Sequence, residues 1–409
     1  MCDSLCALTS EGTIFAKNSD RPADELQLPV VHGARPGGGR LRTQYLEMDD
    51  AGAAAVLLSR PDWLWGAEHG LSEHGVAVGN ERVDTAGGAD RSPAALIGMD
   101  LVRLGLERAR SAEGAVDAIV ALLERHGQGG LCDRTFDQAY DSSFLVADGT
   151  SAWVLETAGR DWAAQPVPAK GVAAISNRLT IRRDWTRASA AVKAGGDFDA
   201  WRDPGVDSAY ADGRLAASRD FLGCGDGPSG VPHQPMTARR MVSHLRDHGT
   251  EPWGEPGRPL LPGRNGVAPP PPAIRATGRD ISVCMHVGGI MATTASMVAW
   301  LPDATGRPIR SWLALGSPCV SLYVPLLGLS ADLPGPVGAT LWRHNAELRR
   351  RVEAEGQRLA SIRAVIDPLE AELWDEADGL LERPDQWARF HSDAWRRTVG
   401  VAAQLVGVP

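Results

Sequence analysis

Hydrophobic and polar positions change their period three times along this chain, and each change marks a different kind of element. Near the start, the apolar run Leu5 to Leu8 and the β-prone run Thr13 to Lys17 flank the turn signal Glu11-Gly12, which predicts a hairpin. With Glu11 and Gly12 as a two-residue loop, Cys2 faces Arg21 and Asp3 faces Asp20 across the ladder. Ala53 to Leu58 and Gly75 to Gly79 read as buried strands. Residues 94–110 carry Leu96, Met99, Val102 and Leu106 at helical spacing. Ser111 is placed to N-cap a second helix, with Glu113 in its first turn and Val116, Ile119, Val120 and Leu123 on one face, ending at Gly127. The period then returns to two. Ser143 to Ala147, Ser151 to Thr157, Trp162 to Val167 and Val172 to Ile175 form a meander broken by Asp148-Gly149, Gly159-Arg160 and Lys170-Gly171.

Residues 256–278 are rich in Pro and Gly, with four prolines at Pro269 to Pro272, the composition of an extended surface loop or linker. Gly33 to Gly39 interrupts the N-terminal region in the same way. From about Gly338 the chain turns helical and charged, with Leu341 through Leu373 as one run and a second helix expected around 384–404. The expected division is a catalytic domain over 2–325 and a C-terminal helical extension over 335–409 packed on it. No internal repeat is visible.

Composition narrows the function. A chain of 409 residues that is 43% hydrophobic can bury a large core. A net charge of −9 argues against a nucleic-acid or anionic-membrane surface. No apolar run approaches the roughly 18 residues of a membrane span, and the start lacks the basic and apolar regions of a signal peptide. Cys2, Cys6, Cys132, Cys224, Cys284 and Cys319 show no Cys-x-x-Cys spacing, which suits a reducing cytoplasm. The expected location is cytoplasmic.

Position 2 carries the chemistry. Removal of Met1 would leave Cys2 with a thiol and a free α-amine on one residue; such an amine titrates near 7.7–8.0 and a free thiol near 8.5. The hairpin brings Asn18-Ser19-Asp20-Arg21 to that terminus. A carboxylate orients an ammonium, and a nearby cation favours thiolate. Lys17 stands out because the chain has only two other lysines, Lys170 and Lys193.

Cys2 together with Phe15-Ala16-Lys17-Asn18-Ser19-Asp20-Arg21-Pro22 resembles the opening of the secernins and related bacterial dipeptidases, members of the N-terminal-nucleophile hydrolases with the bile salt hydrolases and penicillin V acylases. The stretch from Ser59 to Glu68, Asn80-Glu81, Gly98 to Arg108, His126 to Gly130 and Ala152 to Thr157 agree in order, and Cys284-Met285-His286 and Thr294 to Met297 are later echoes. The resemblance implies an α+β fold, a four-layer αββα sandwich with the helical extension following it. It implies Cys2 as nucleophile through a thioester, its α-amine as proton acceptor and donor, and Asp20 as the carboxylate holding that amine. Lys17 falls where the bile-salt and penicillin branch has an arginine. Asn80 matches the position whose backbone N–H helps bind the oxyanion, and Asn177 the asparagine whose side chain supplies the second donor, each worth about 3–4 kcal/mol by analogy. The family's distant arginine has no clear match; Arg279 and His286 are the nearest candidates. The family mechanism needs no cofactor and no metal.

Trp63 and Trp65 flank a loop and are candidate walls of a substrate pocket, or caps on the core. Arg21 is placed to meet a substrate carboxylate or to pair with Asp24. His244 and His248 are four apart on an expected helix but lack a carboxylate motif and read as surface histidines. No Gly-x-Ser-x-Gly elbow, phosphate loop or Gly-x-Gly-x-x-Gly occurs. The reading is therefore a cysteine-dependent amidohydrolase acting on a small peptide or amide, first of all a dipeptidase. The alternatives are an N-acyl amide acylase or acyl-transfer enzyme, and a secernin-like regulatory protein with little catalysis. A homo-oligomer stays open.

Overall fold

The computed structural model describes residues 1–87, 93–206, 209–224, 229–230, 232, 234–248, 281–287, 289–303, 306–329 and 335–407. The Pro/Gly-rich stretch at 256–278 and Arg279 lie outside them.

The N-terminal hairpin forms, with a different turn. Strand β1 (Cys2–Thr9) pairs with β2 (Gly12–Pro22) so that Cys2 faces Ser19 and Thr9 faces Gly12. The loop is therefore Ser10-Glu11, and Cys2 lies opposite Ser19 where Arg21 was expected. Gly12 fixes this turn: its φ is +140°, and a Cβ there would lie 2.2 Å from the Leu301 carbonyl oxygen. The slip is two residues, so each side chain keeps its face. Cys6 and Phe15 enter the core between the sheets. Leu5, Ala7, Ile14 and Ala16 pack on the other side.

That hairpin forms the centre of a sheet. Strand Val172–Ile175 flanks β1 antiparallel, and Met291–Pro302, Arg310–Leu315 and Val324–Leu327 follow beyond β2. A second antiparallel sheet runs Arg187–Ala188, Asp161–Pro166, Ala152–Ala158, Asp141–Ala147, Ala77–Val83, His69–Ser72, Val56–Pro61 and Gln27–His32. The expected meander thus holds for three strands, while its fourth member, Val172–Ile175, crosses to the β1 sheet. The strands expected at 53–58 and 75–79 begin two to three residues later, at Val56 and Ala77.

Four layers result. Leu57, Leu71, Ala77 and Leu145 of the second sheet meet Cys6, Phe15 and Met297 of the first. Helices α1 (Gly98–Arg108) and α2 (Ala112–His126) cover the outer face of the second sheet, burying Val102, Leu106, Val116 and Ile119 against Val78 and Val146. The Ser111 hydroxyl caps α2 by accepting from the Gly114 N–H, and the helix stops at Gly127. Helices Ala209–Leu222 and Ala238–Leu245 cover the outer face of the first sheet through Leu215, Met241 and Leu245. The αββα sandwich is what the structure has.

The C-terminal segment forms three helices, Gly335–Ala354, Arg358–Asp378 and Trp387–Val406. The single run expected from Leu341 to Leu373 breaks around Gly356. Trp342, Ile366, Phe390 and Trp395 join the inter-sheet core. The Trp342 indole donates to the Thr294 carbonyl (2.9 Å) and Arg349 to the Ala23 carbonyl (3.1 Å). No helix of the described residues is long and apolar enough to cross a membrane.

Candidate active site

The alternation of β1 and β2 sorts the N-terminal polar residues onto two faces. Cys2, Ser4 and Lys17 point toward the second sheet. The Lys17 ammonium, fully buried, donates to the Asn80 carbonyl (2.6 Å) and to Glu81 Oε1 (3.0 Å), and the Ser4 hydroxyl donates to the same carboxylate. Burial opposes the Lys17 charge, but Cys2, Glu81 and Glu68 beside it hold its proton above the ordinary lysine range. Burial pushes the Glu81 carboxyl up to about 7 against the pull of Lys17. The Cys2 thiol lies 3.9 Å from Glu68 Oε2. Burial raises its pKa, and Lys17 works in the opposite direction.

Asp3 and Asp20 point to the other face, where Arg214 of the Ala209–Leu222 helix meets them. Its guanidinium donates to Asp3 Oδ2 (2.7 Å), Asp20 Oδ2 (3.3 Å), the Cys2 carbonyl (3.3 Å) and Asn177 Oδ1 (2.6 Å). The Thr293 hydroxyl donates to Asp20 Oδ1 at 2.6 Å. Burial pushes the Asp20 carboxyl up to about 6, opposed by Arg214 and the chain's terminal ammonium. The Met1 ammonium donates to the Asp20 carbonyl, and the Asp20 N–H to the Met1 carbonyl, both at 2.8 Å. Asn177, just beyond Val172–Ile175, accepts the Cys2 N–H at 2.8 Å and donates its amide to the Arg82 carbonyl at 2.9 Å.

Cys2, Lys17, Asp20, Asn80 and Asn177 thus converge, with changes of contact. Asn80 lies within its strand rather than at its end, and its backbone N–H is donated to the Glu68 carbonyl (3.1 Å). The oxyanion contact expected of that N–H is therefore already committed. Its side-chain amide faces Glu68, and in the orientation that satisfies both of its ends the nitrogen donates to the Glu68 carbonyl (2.8 Å) and Oε2 (3.2 Å). Arg21 pairs with Glu25 (2.7 Å) and Glu68 (3.2 Å), not with Asp24, and donates to the Tyr140 hydroxyl (3.0 Å) and Cys132 carbonyl (3.0 Å). Trp63 reaches this group by donating to Glu25 Oε2 at 3.1 Å. Trp65 does not: its ring packs in the α1–α2 layer under the Arg103 guanidinium, 4.1 Å away.

Two side chains emerge from the structure without having been assigned a role. Arg214 is the arginine that meets the N-terminal group among the described residues; the candidate Arg279 lies outside them. Only its helix, packed on the sheet, brings it to Cys2. Glu68 stood inside a recognised stretch, and its placement beside the thiol depends on the second sheet facing the first. His286 instead contacts Cys284, Cys319 and Glu353. His244 is buried, bonded to Ser218 Oγ (2.9 Å) and stacked on Phe221, while His248 lies beside the His286 ring; neither is a free surface histidine.

No family model matches the chain. Solved structures similar to it include a mutant of conjugated bile acid hydrolase from Clostridium perfringens, with 10% identity, a TM-score of 0.40, and 76% of this chain and 88% of that chain covered. The Caenorhabditis elegans ortholog of N-acylethanolamine-hydrolyzing acid amidase aligns at 15% identity and TM-score 0.34, covering 74% of this chain and 94% of that one. Penicillin V acylase from Agrobacterium tumefaciens aligns at 11% identity and TM-score 0.37, covering 80% and 86%. These likenesses are distant, and the chemistry is read from the site itself.

Proposed function

We propose that this protein is a cysteine-dependent amidohydrolase, specifically a dipeptidase, whose Cys2 becomes the N-terminal nucleophile on loss of Met1. The released α-amine, beside Asn177 Oδ1 and the Arg214–Asp20 pair, takes the thiol proton. The thiolate attacks the amide carbonyl, and collapse of the tetrahedral intermediate leaves a thioester. The departing amine receives the proton from the α-ammonium, and water then hydrolyses the thioester. The buried Lys17 ammonium favours the thiolate. Arg214 pairs with both Asp3 and Asp20 and offsets one of their two negative charges, so that one remains to hold the α-ammonium.

The observation that carries the dipeptidase reading is the Glu68 carboxylate 3.9 Å from the thiol. In a dipeptide, the free ammonium stands one carbon from the scissile carbonyl, within reach of an acidic group at about that distance; Glu68 pairs with Arg21 through Oε1 and turns Oε2 to the thiol. The Met1 side chain packs against the apolar cluster of Ile281, Met285, Val287 and Met291, as do Phe136, Tyr210 and Ile290. Loss of Met1 would uncover this apolar cluster and leave a recess for a substrate side chain. The same recess supports the second reading, an acylase that places an acyl chain there. A panel of dipeptides and their N-acetylated forms decides between them: acetylation is expected to abolish turnover. Faster cleavage of the acylated forms would favour the acylase.

A further inference from the structure

Outside the Cys2 site, four ligand-type side chains from three separate parts of the chain meet at one point. They are His248, just beyond the Ala238–Leu245 helix, Cys284 and His286 before the Met291–Pro302 strand, and Cys319 after the Arg310–Leu315 strand. One donor atom from each lies within 4.8 Å of the others. Cys284 Sγ is 3.3 Å and Cys319 Sγ 3.4 Å from His286 Nε2. A tetrahedral zinc ion with bonds of about 2.3 Å to sulfur and 2.0–2.1 Å to nitrogen sets neighbouring donors roughly 3.3–3.8 Å apart. Cys284, His286 and Cys319 are buried and His248 is half-buried.

We propose that His248, Cys284, His286 and Cys319 bind a zinc ion that locks together the three segments carrying them. Two soft sulfurs and two imidazoles select zinc over calcium or magnesium, and four protein donors leave no open position for a substrate, as in a structural site. An outer shell is in place. His286 Nδ1 faces Glu353 Oε1 at 3.2 Å, and Arg349 holds that carboxylate at 2.8 Å. A carboxylate on the far nitrogen of a ligating histidine fixes its tautomer and orientation.

The site also reaches the nucleophile. Met285, between two of the ligands, donates its N–H to Thr293 Oγ1 at 3.0 Å, and that hydroxyl donates to Asp20 Oδ1 at 2.6 Å. Zinc thus fixes the segment that orients Asp20. This consequence rests on the catalytic reading of Asp20, whereas the metal site itself does not.

The test is the zinc content of the untagged full-length protein, dialysed against metal-free buffer and measured by inductively coupled plasma mass spectrometry. One zinc per chain is expected, lost in Cys284→Ser and Cys319→Ser. Glu353→Gln, which leaves all four donors, is expected to weaken zinc roughly tenfold or more in competition with a chelator. Cobalt(II) in place of zinc is expected to give the visible bands of a tetrahedral thiolate site. A wild-type protein that neither carries zinc nor takes it up from added zinc chloride overturns the proposal. So does a Cys284–Cys319 disulfide in the isolated protein. Catalysis by Cys2 in a protein that neither carries zinc nor takes it up overturns the metal site and leaves the dipeptidase reading standing.

Discussion

Arg214 carries more of the site than any other single side chain. Fully buried, it is the cation between Asp3 and Asp20 and the donor to Asn177 and the Cys2 carbonyl. Removing one partner of such a buried group leaves uncompensated charge. Arg214→Met is therefore expected to cost about 3–5 kcal/mol in urea unfolding at pH 7, and Arg214→Lys to keep the fold but lose most activity because the planar fork is gone. Asp20 gives a pH prediction. Its carboxyl sits at about 6, raised from 3.8 chiefly by burial, so kcat/KM is expected to fall below about pH 6 as it protonates. The Thr293 hydroxyl favours the ionised form; Thr293→Val is expected to move this acid limb to higher pH, and an unmoved limb would assign it to another group. In stability the sign is opposite. The folded state holds the proton more tightly than the unfolded chain, so Asp20's contribution is present below about pH 4 and lost as pH rises through about 6. Cys2, Lys17, Asp20 and Asn177 could be picked from the sequence because local order or the family resemblance marked them. Arg214 and Glu68 could not, since nothing local distinguishes an arginine on an outer helix or a glutamate in a loop until two sheets are stacked.

At the scale of elements, parity survived where register did not. The turn signal Glu11-Gly12 misplaced the loop, yet a two-residue slip leaves Cys2 and Lys17 on the inner face and Asp20 on the outer one. Gly12 is the reason for the observed register, since only glycine tolerates its φ and the close Leu301 carbonyl. Gly12→Ala is expected to destabilise the fold by at least about 2 kcal/mol, read as a lowered urea midpoint, with little change in KM for protein that remains folded. Helices α1 and α2 were legible from their period and the Ser111 cap. Val172–Ile175 was legible as a strand but not as a member of the β1 sheet, because alternation reports burial and says nothing of which sheet pairs with it. The zinc-type cluster was equally hidden, because Cys284-Met285-His286 supplies only two of its ligands and His248 and Cys319 lie far from that pair in sequence.

Over the whole molecule, the C-terminal helices complete the sandwich's core. Trp342 and Arg349 bond to the backbone beside the site, and Glu370 accepts from the Tyr323 N–H (2.7 Å) and from Arg246 (2.6 Å). A chain ended at residue 334 is expected to lose cooperative unfolding and be cleaved rapidly by protease, since Leu313, Leu315 and Leu326 would face water. Independent folding of that fragment would show the helices to be a dispensable extension.

Whether Cys2, freed of Met1, is the nucleophile is decided by hydrolysis of a dipeptide panel by wild type and Cys2→Ala, with the N-terminal mass recorded on the same samples. Turnover by protein beginning at Cys2, absent from Cys2→Ala and from molecules retaining Met1, is the predicted result. Undiminished turnover by Cys2→Ala, or none from protein confirmed to begin at Cys2, would contradict it.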